Sequence, residues 1–323
     1  MKVAMLVNLD NFDKYASWRD CNWELVHMGN GAPDCEKVID TKADVLVVDA
    51  VIKIGAEIIE NMPGLKLIHS QGVAYNAIDI RAAQKAGIYV CNNAGVNARA
   101  VAELTVMLML TLLKNFRWNE DMVYAGKQID VKNGYFADGL PELGNQKVGL
   151  VGCGAIGREL AAMLKPFGCE LFYSTATGKK ADLDMTFLPL EELYASCDIV
   201  SLHVPVTPET VSMINEESLK LFKRGAFLIN TARGELLDHE AVVRALKSGQ
   251  LSGFGTDTLA PEPVLSDNPF LKALPEELRR RVSISPHIGG LTAGSYIRTY
   301  EHIRKNIQAV EHGERPDCVV NGL

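Results

Sequence analysis

The chain has 323 residues, 47% hydrophobic and 23% charged, an ordinary globular composition that excludes long disorder and whose length favours two domains. Its 33 basic and 40 acidic side chains give a net charge of −7. The only dense basic spots are Lys179-Lys180 and Arg279-Arg280-Arg281, so no nucleic acid or anionic membrane surface is expected as a partner.

No apolar stretch reaches the ~18 residues that a membrane span needs. The opening MKVAMLVN carries no secretory h-region. Seven scattered cysteines show neither CxxC nor metal-ligand spacing, which predicts no metal and a reducing, cytoplasmic setting.

Residues 1–97 alternate short β-rich runs with helical segments. Val3 to Asn8, Val45 to Asp49, Leu65 to Ser70 and Ile88 to Asn92 are the β-rich runs, and Gly55 to Asn61 and Ile78 to Ala86 look helical. That rhythm predicts a parallel sheet covered by helices. A long apolar helix follows, from about Asn97 to Asn115. Glu103 and Lys114 interrupt and end its apolar stretch, so it reads as buried. The stretch Arg117 to Gln146 is polar, dotted with aromatics and without clear period.

At Lys147 the rhythm restarts. Lys147 to Val151, Glu170 to Ser174, Asp198 to His203, Ala226 to Thr231, Gly253 to Asp257 and Val282 to Ser285 read as six strands. Asp238 is placed to cap a helix over Glu240 to Lys247, which Gly249 would end. Six strands with crossover helices describe a doubly wound sheet. The tail, Gly294 to Glu311, reads as an amphipathic helix ending at Gly313.

The segment KVGLVGCGAIGRELAAMLKPFG is the most informative. A strand ends at Val151, GxGxxG follows, and a helix opens near Ile156. Gly152 permits a tight turn, Gly154 lets a pyrophosphate approach the backbone, and Gly157 lets helix and strand pack closely. The helix N-terminus then offers free N–H groups and the positive end of its dipole. One part of the fingerprint is missing. The next strand, ELFYS, should end in Asp or Glu to hold the ribose 2′-hydroxyl of NAD, and here it ends in Ser174, followed by Thr175. Without that carboxylate a 2′-phosphate is not repelled, and the hydroxyls with Lys179 and Lys180 could accept it. NAD and NADP both stay open.

Three further segments follow predicted strands, on the edge where open α/β sheets bind ligands. INTARGE places Arg233 after the fourth. GTDTLAPEP places Asp257 at the end of the fifth and Glu262 shortly after. SISPHIGG places His287 after the sixth. An anion binder, a carboxylate and a proton donor on one edge of a cofactor domain form a chemical set.

With VAEL at Val101 to Leu104, NTARG, the Asp257–Pro263 arrangement and SPHIGG in order, the chain resembles the D-isomer-specific 2-hydroxyacid dehydrogenase family. HSQGVAYNAID resembles its substrate loop and CVVNGL its closing segment. The resemblance implies an α/β protein of two doubly wound parallel-sheet domains. A smaller flavodoxin-like substrate domain would span 1–97 and 291–323, and a Rossmann cofactor domain 98–290, with 117–146 as a homodimer arm. Trp118, Tyr124, Tyr135 and Phe136 would supply the arm's aromatic contacts.

In the implied site Arg233 holds the substrate carboxylate, His287 exchanges the hydroxyl proton and Glu262 pairs with it. Hydride addition to a 2-keto acid builds charge on the carbonyl oxygen, which a nearby acid must protonate. Arginine matches a carboxylate bidentately. Ser70, Gly72, Val73 and Ala74 would complete the substrate cradle. The implied cofactor contacts are Gly152, Gly154, Ala155, Ile156, Gly157, Ser174, Thr175, His203, Val204, Pro205, Thr231, Ala232, Asp257, His287 and Gly289, with Asp257 on the nicotinamide carboxamide.

Two rival readings are weighed. Formate oxidation would call for a Gln–His pair where Glu262 and His287 stand. A dinucleotide-sensing corepressor of the same fold would be expected to carry partner-binding extensions, and the sequence ends on CVVNGL.

Overall fold

The computed structural model describes every residue except Ser17, Arg19, Pro33 and 179–182. The chain divides into two compact units, Met1–Asn97 with Leu291–Leu323, and Ala98–Gly290.

The first unit contains β1 (Lys2–Leu6), α1 (Leu9–Tyr15), β2 (Glu24–His27), α2 (Cys35–Asp40), β3 (Val45–Val48), α3 (Ala56–Glu60), β4 (Leu67–Ser70), α4 (Ile80–Lys85) and β5 (Tyr89–Cys91). All five strands pair in parallel, in the order β2-β1-β3-β4-β5. That is the flavodoxin order. Val45–Val48 is buried at every residue, because a parallel sheet is covered on both faces and its inner strands read as unbroken apolar runs. The side chains of Asn8, Asp34 and Asp79 cap α1, α2 and α4, each accepting from a backbone N–H three residues on. Sequence reading missed β2. It pairs with β1 alone, and its ELVH pattern has no buried residue to mark it.

The second unit contains α5 (Ala98–Leu113), α6 (Phe116–Tyr124), α7 (Gln128–Asp138), β6 (Lys147–Val151), α8 (Ala155–Leu164), β7 (Glu170–Ser174), β8 (Thr186–Phe187), α9 (Leu190–Ser196), β9 (Ile199–Leu202), α10 (Glu216–Leu221), β10 (Ala226–Asn230), α11 (His239–Ser248), β11 (Leu251–Thr256), α12 (Pro269–Ala273) and β12 (Val282–Ile284). Its parallel sheet runs β12-β11-β10-β9-β6-β7-β8. Counted within the unit this is the Rossmann order 3-2-1-4-5-6 with a seventh strand at the far edge. Sequence analysis predicted six strands. The one it lacked is β8, a two-residue edge strand too short to carry a period.

The apolar helix α5 is buried as expected, its Leu108 and Leu112 packing with Val148, Leu150 and Ile229. Asp238 caps α11 through the N–H of Ala241, and Gly249 ends it in the left-handed conformation. The stretch predicted to lack a period is instead two helices, α6 and α7. Neither buries a residue, so no apolar stripe betrays them in the sequence. After the second unit the chain forms α13 (Ala293–Glu311), capped by Thr292, whose Tyr300, Ile303 and Ile307 join Val3, Met5 and Val45 in the first unit's core.

Candidate active site

Parallel pairing sends the C-terminal ends of all seven strands of the second unit to one edge of the sheet. From that edge emerge His287 after β12, Asp257 and Glu262 after β11, Thr231 to Arg233 after β10, and His203 to Pro205 after β9. Gly152 to Gly157 follow β6, and Ser174 and Thr175 close β7. Strand order reverses between β9 and β6, which puts the switch point of the sheet beside the glycine loop. With β8 counted, the loops bearing Arg233, Asp257 and His287 follow the fifth, sixth and seventh strands, one later than predicted.

Each fingerprint glycine answers a different demand. Gly152 has φ +91°, and a Cβ there would lie 2.5 Å from the His203 carbonyl oxygen, so the turn closes only on glycine. A Cβ on Gly157 would lie 2.7 Å from the Gly152 oxygen, the close approach of helix to turn. Gly154 differs, since nothing stands within 4 Å of the Cβ it lacks. It is the N-cap of α8, and no side chain caps that helix, in contrast to α1, α2, α4 and α11. The first-turn N–H groups at Ala155, Ile156 and Gly157 therefore have no side-chain cap and stand at the positive end of the helix dipole. That is a fit for a dinucleotide pyrophosphate.

Toward the ribose end, Ser174 is buried and its carbonyl accepts from the Gly152 N–H at 2.9 Å. The Thr175 hydroxyl donates to the Gly178 carbonyl at 2.6 Å. Lys179 and Lys180, expected to help hold a 2′-phosphate, lie outside the described residues. Burial lowers His203 to about 4, so the ring is neutral at pH 7. Its Nε2 lies 2.9 Å from the Ser201 hydroxyl, while Nδ1 is buried with no partner among the described residues.

The substrate-side residues are held by their own loops. Asn230 closes the turn before Arg233: its Oδ1 accepts from the Ala232 N–H at 3.1 Å, and its Nδ2 donates to the Arg233 carbonyl at 2.9 Å. Gly234 has no room for a side chain against Leu259 and Ala260, which fixes the turn against the loop after β11. Arg233 is exposed, and among the described residues its guanidinium forms no ion pair, bonding only the Ala232 carbonyl at 2.7 Å. Thr231 is anchored from below. Thr105 donates to the Val101 carbonyl at 2.7 Å, so the 3.0 Å contact between the two threonine hydroxyls has Thr231 as donor.

His287 and Glu262 meet across different loops, with Nδ1 at 2.9 and 3.0 Å from the two carboxylate oxygens. His287 sits at φ +55°, a left-handed conformation that costs a non-glycine residue about 1–2 kcal/mol. The buried Asp257 holds it there. Its carbonyl accepts from the His287 N–H at 2.9 Å, its Oδ1 from the Ser285 hydroxyl at 2.5 Å and the Ile288 N–H at 3.0 Å, and its Oδ2 from the Gly289 N–H at 2.8 Å. Sequence analysis placed Asp257 only against a cofactor and missed Ser285, Asn230 and Thr105. Asn230 had a signal, an Asn at a strand end where its side chain can close a turn.

In the first unit, Ser70 ends β4 and its hydroxyl donates to the Ala74 carbonyl at 2.6 Å. A Cβ on Gly72 would lie 2.9 Å from the Ala50 Cβ, and Val73 and Ala74 are exposed.

Residues 106–289, all within the second unit, match the model described as D-isomer specific 2-hydroxyacid dehydrogenase, NAD binding domain. The chain belongs to this family. A glyoxylate reductase from Thermofilum pendens is 38% identical over 274 residues, 83% of this chain and 78% of the relative. The structure of D-2-hydroxyisocaproate dehydrogenase superposes with a TM-score of 0.87 at 29% identity, over 100% of both chains. D-lactate dehydrogenase from Aquifex aeolicus, solved with NAD and lactic acid, gives 0.75 at 29% identity over 97% of this chain and 96% of that one. As a member of the family the chain is an oxidoreductase of the CH–OH group, a 2-keto acid reductase that uses a nicotinamide dinucleotide. No helix among the described residues is long and apolar enough to cross a membrane.

Proposed function

We propose that this chain reduces a small 2-keto acid, glyoxylate or hydroxypyruvate among them, to the D-2-hydroxy acid. The second unit would hold the dinucleotide, and the loop after β4 would take part of the substrate. The contact between His287 and Glu262 carries this reading. The dinucleotide supplies the hydride when bound. His287 delivers a proton from Nε2 to the carbonyl oxygen, because Nδ1 is committed to Glu262. Glu262 fixes the tautomer and balances the charge that the ring gains and loses. Arg233, with no anionic partner among the described residues, grips the substrate carboxylate and orients the keto group. On this reading the loop after β4 offers a carboxylate the N–H groups of Val73 and Ala74, while the Gly72 N–H is taken by the Ser70 hydroxyl oxygen at 3.3 Å. Asp257 locks the His287 turn, and the free lone pairs of its oxygens suit the nicotinamide carboxamide.

NAD or NADP would serve as the cofactor, a choice left open because β7 ends in Ser174, followed by Thr175, with no carboxylate at either residue to repel a 2′-phosphate. Homodimerisation through α6 and α7 is supported by their exposed apolar side chains, with Tyr124 82% and Phe136 75% exposed. Of the four arm aromatics, Trp118 has Arg280 5.8 Å from its ring centre, Phe136 has Lys132 5.7 Å from its own and Tyr135 donates to Asn119 at 2.8 Å, which leaves Tyr124, uncontacted among the described residues, and the largely exposed Phe136 for a second copy. A cytoplasmic setting is supported by free thiols at Cys21, Cys35, Cys91, Cys169, Cys197 and Cys318.

The test is consumption of NADH and of NADPH, followed by absorbance, with a panel of 2-keto acids. Turnover with a small keto acid and a D-configured product is expected. Tight cofactor binding with no consumption by any keto acid would overturn the reading.

A further inference from the structure

The loop after β4 has an unusual main-chain arrangement. All five carbonyls from Ser70 to Ala74 are engaged within the first unit. Asn93 Nδ2 donates to the Ser70 oxygen at 3.2 Å and to the Gln71 oxygen at 2.9 Å. The Asn93 N–H donates to the Gly72 oxygen at 2.9 Å. Asn92 Nδ2 donates to the Val73 oxygen at 2.7 Å, and the Ser70 hydroxyl takes the Ala74 oxygen. In a trans peptide the C=O of one residue and the N–H of the next point in opposite directions. Drawing the Gly72 and Val73 carbonyls toward the two asparagines therefore turns the N–H groups of Val73 and Ala74 the other way. Neither N–H meets an acceptor among the described residues, and both residues are exposed.

The orientation of the Asn93 amide is itself fixed. Its Oδ1 lies 2.8 Å from Nδ1 of His302 on α13. Burial lowers the His302 pKa, so the ring is neutral and donates its Nδ1 hydrogen to that oxygen. A flipped amide would set its oxygen against two carbonyls.

We propose that Asn93, oriented by His302, is a positioning residue for the substrate carboxylate. Together with Asn92 it aims the N–H groups of Val73 and Ala74 as an anion cradle. This rests on the reading that the loop after β4 binds the keto acid's carboxylate. The sequence gives no hint of it, since the groups that bind are main chain and the residues that aim them stand about twenty positions later.

The experiment compares wild type with Asn93→Asp, His302→Leu and His302→Asn, using glyoxylate at saturating NADH and oxalate as a competing dicarboxylate. Asn93→Asp removes the donor from two carbonyls. The KM for glyoxylate and the inhibition constant of oxalate should both rise about tenfold or more, the effect of weakening a hydrogen bond to a charged group. The kcat and the KM for NADH should change much less. His302→Leu should move the same two constants in the same direction. His302→Asn, which keeps an amide N–H near the place of Nδ1, should return them to within about twofold of wild type. Should Asn93→Asp fail to fold, the two His302 variants decide the matter. The proposal is overturned if the glyoxylate and oxalate constants stay at wild-type values, or if they worsen only in step with NADH affinity and melting temperature. Failure of the functional reading shows differently, as a wild-type protein that reduces no 2-keto acid.

Discussion

The two sheets share an architecture but equip their C-terminal edges differently. In the seven-stranded sheet the edge bears ionisable side chains, Arg233, Glu262 and His287, with an uncapped helix at Gly154. In the five-stranded sheet the side-chain amides of Asn92 and Asn93, after β5, hold carbonyls of the loop after β4, and the N–H groups of Val73 and Ala74 meet no acceptor among the described residues. The histidines follow the same division. His287 is 44% exposed and paired with a carboxylate, whereas His69, at the end of β4, is fully buried. On the proposed reading, one edge exchanges a proton and the other holds an anion without exchanging anything.

Substitutions that act on chemistry should therefore have their largest effects in the second unit. His287→Ala is expected to lower kcat about 100- to 10,000-fold, the usual worth of a positioned acid–base group, with cofactor affinity kept. Steady-state rates with cofactor titration check this, and an active His287→Ala enzyme would break the contrast. Arg233→Ala should cost about 10- to 100-fold in kcat/KM for the keto acid, mostly through KM, because it removes a charge-assisted contact and not the proton donor. A kcat collapse as deep as that of His287→Ala would mean that Arg233 does more than hold the carboxylate.

Effects of intermediate size should sharpen the contrast. Ser174→Asp restores the carboxylate that the end of β7 lacks. It should weaken NADPH about tenfold relative to NADH, as repulsion of the 2′-phosphate requires, with keto-acid KM unmoved. An unchanged NADPH-to-NADH ratio would show that the end of β7 does not read the ribose. Gly72→Ala presses a Cβ into Ala50 at 2.9 Å and should raise keto-acid KM several-fold with little change in kcat.

What was legible in the sequence follows the same line. The positions of Gly152, Gly154, Gly157, Arg233, Glu262 and His287 after their strands could be read, because the strands before them are continuous apolar runs. The inner strands could be read because burial on both faces makes them continuous apolar runs. The edge strands β2 and β8 could not, being half-exposed or two residues long. Nor could α6 and α7, whose apolar side chains face outward on the monomer and so follow no inward stripe. Asn92, Asn93 and Asp257 act by aiming other groups. Such roles depend on which carbonyl or N–H lies opposite, a relation across distant positions that no local pattern records.

The smallest expected effect concerns the buried His69 and what pH does to it. Burial, above all, lowers its pKa from 6.5 to about 3, with the His302 ring 5.6 Å away adding to the shift and the Ser70 carbonyl opposing it. Nδ1 lies 2.9 Å from that carbonyl, and Asn306 Nδ2 lies 2.9 Å from Nε2, so the neutral ring is satisfied on both sides. Between pH 6.5 and about 3 the unfolded chain binds a proton at this residue that the folded chain refuses. Stability from His69 is thus complete above pH 6.5 and is lost as pH falls toward 3. His69→Gln should lower the melting temperature at pH 7 yet flatten its decline from pH 6.5 to 4. His287→Ala, a substitution on the exposed edge of the other unit, serves as the control. Melting curves of wild type, His69→Gln and His287→Ala across this range decide the point, and parallel declines in all three would remove His69 as the source.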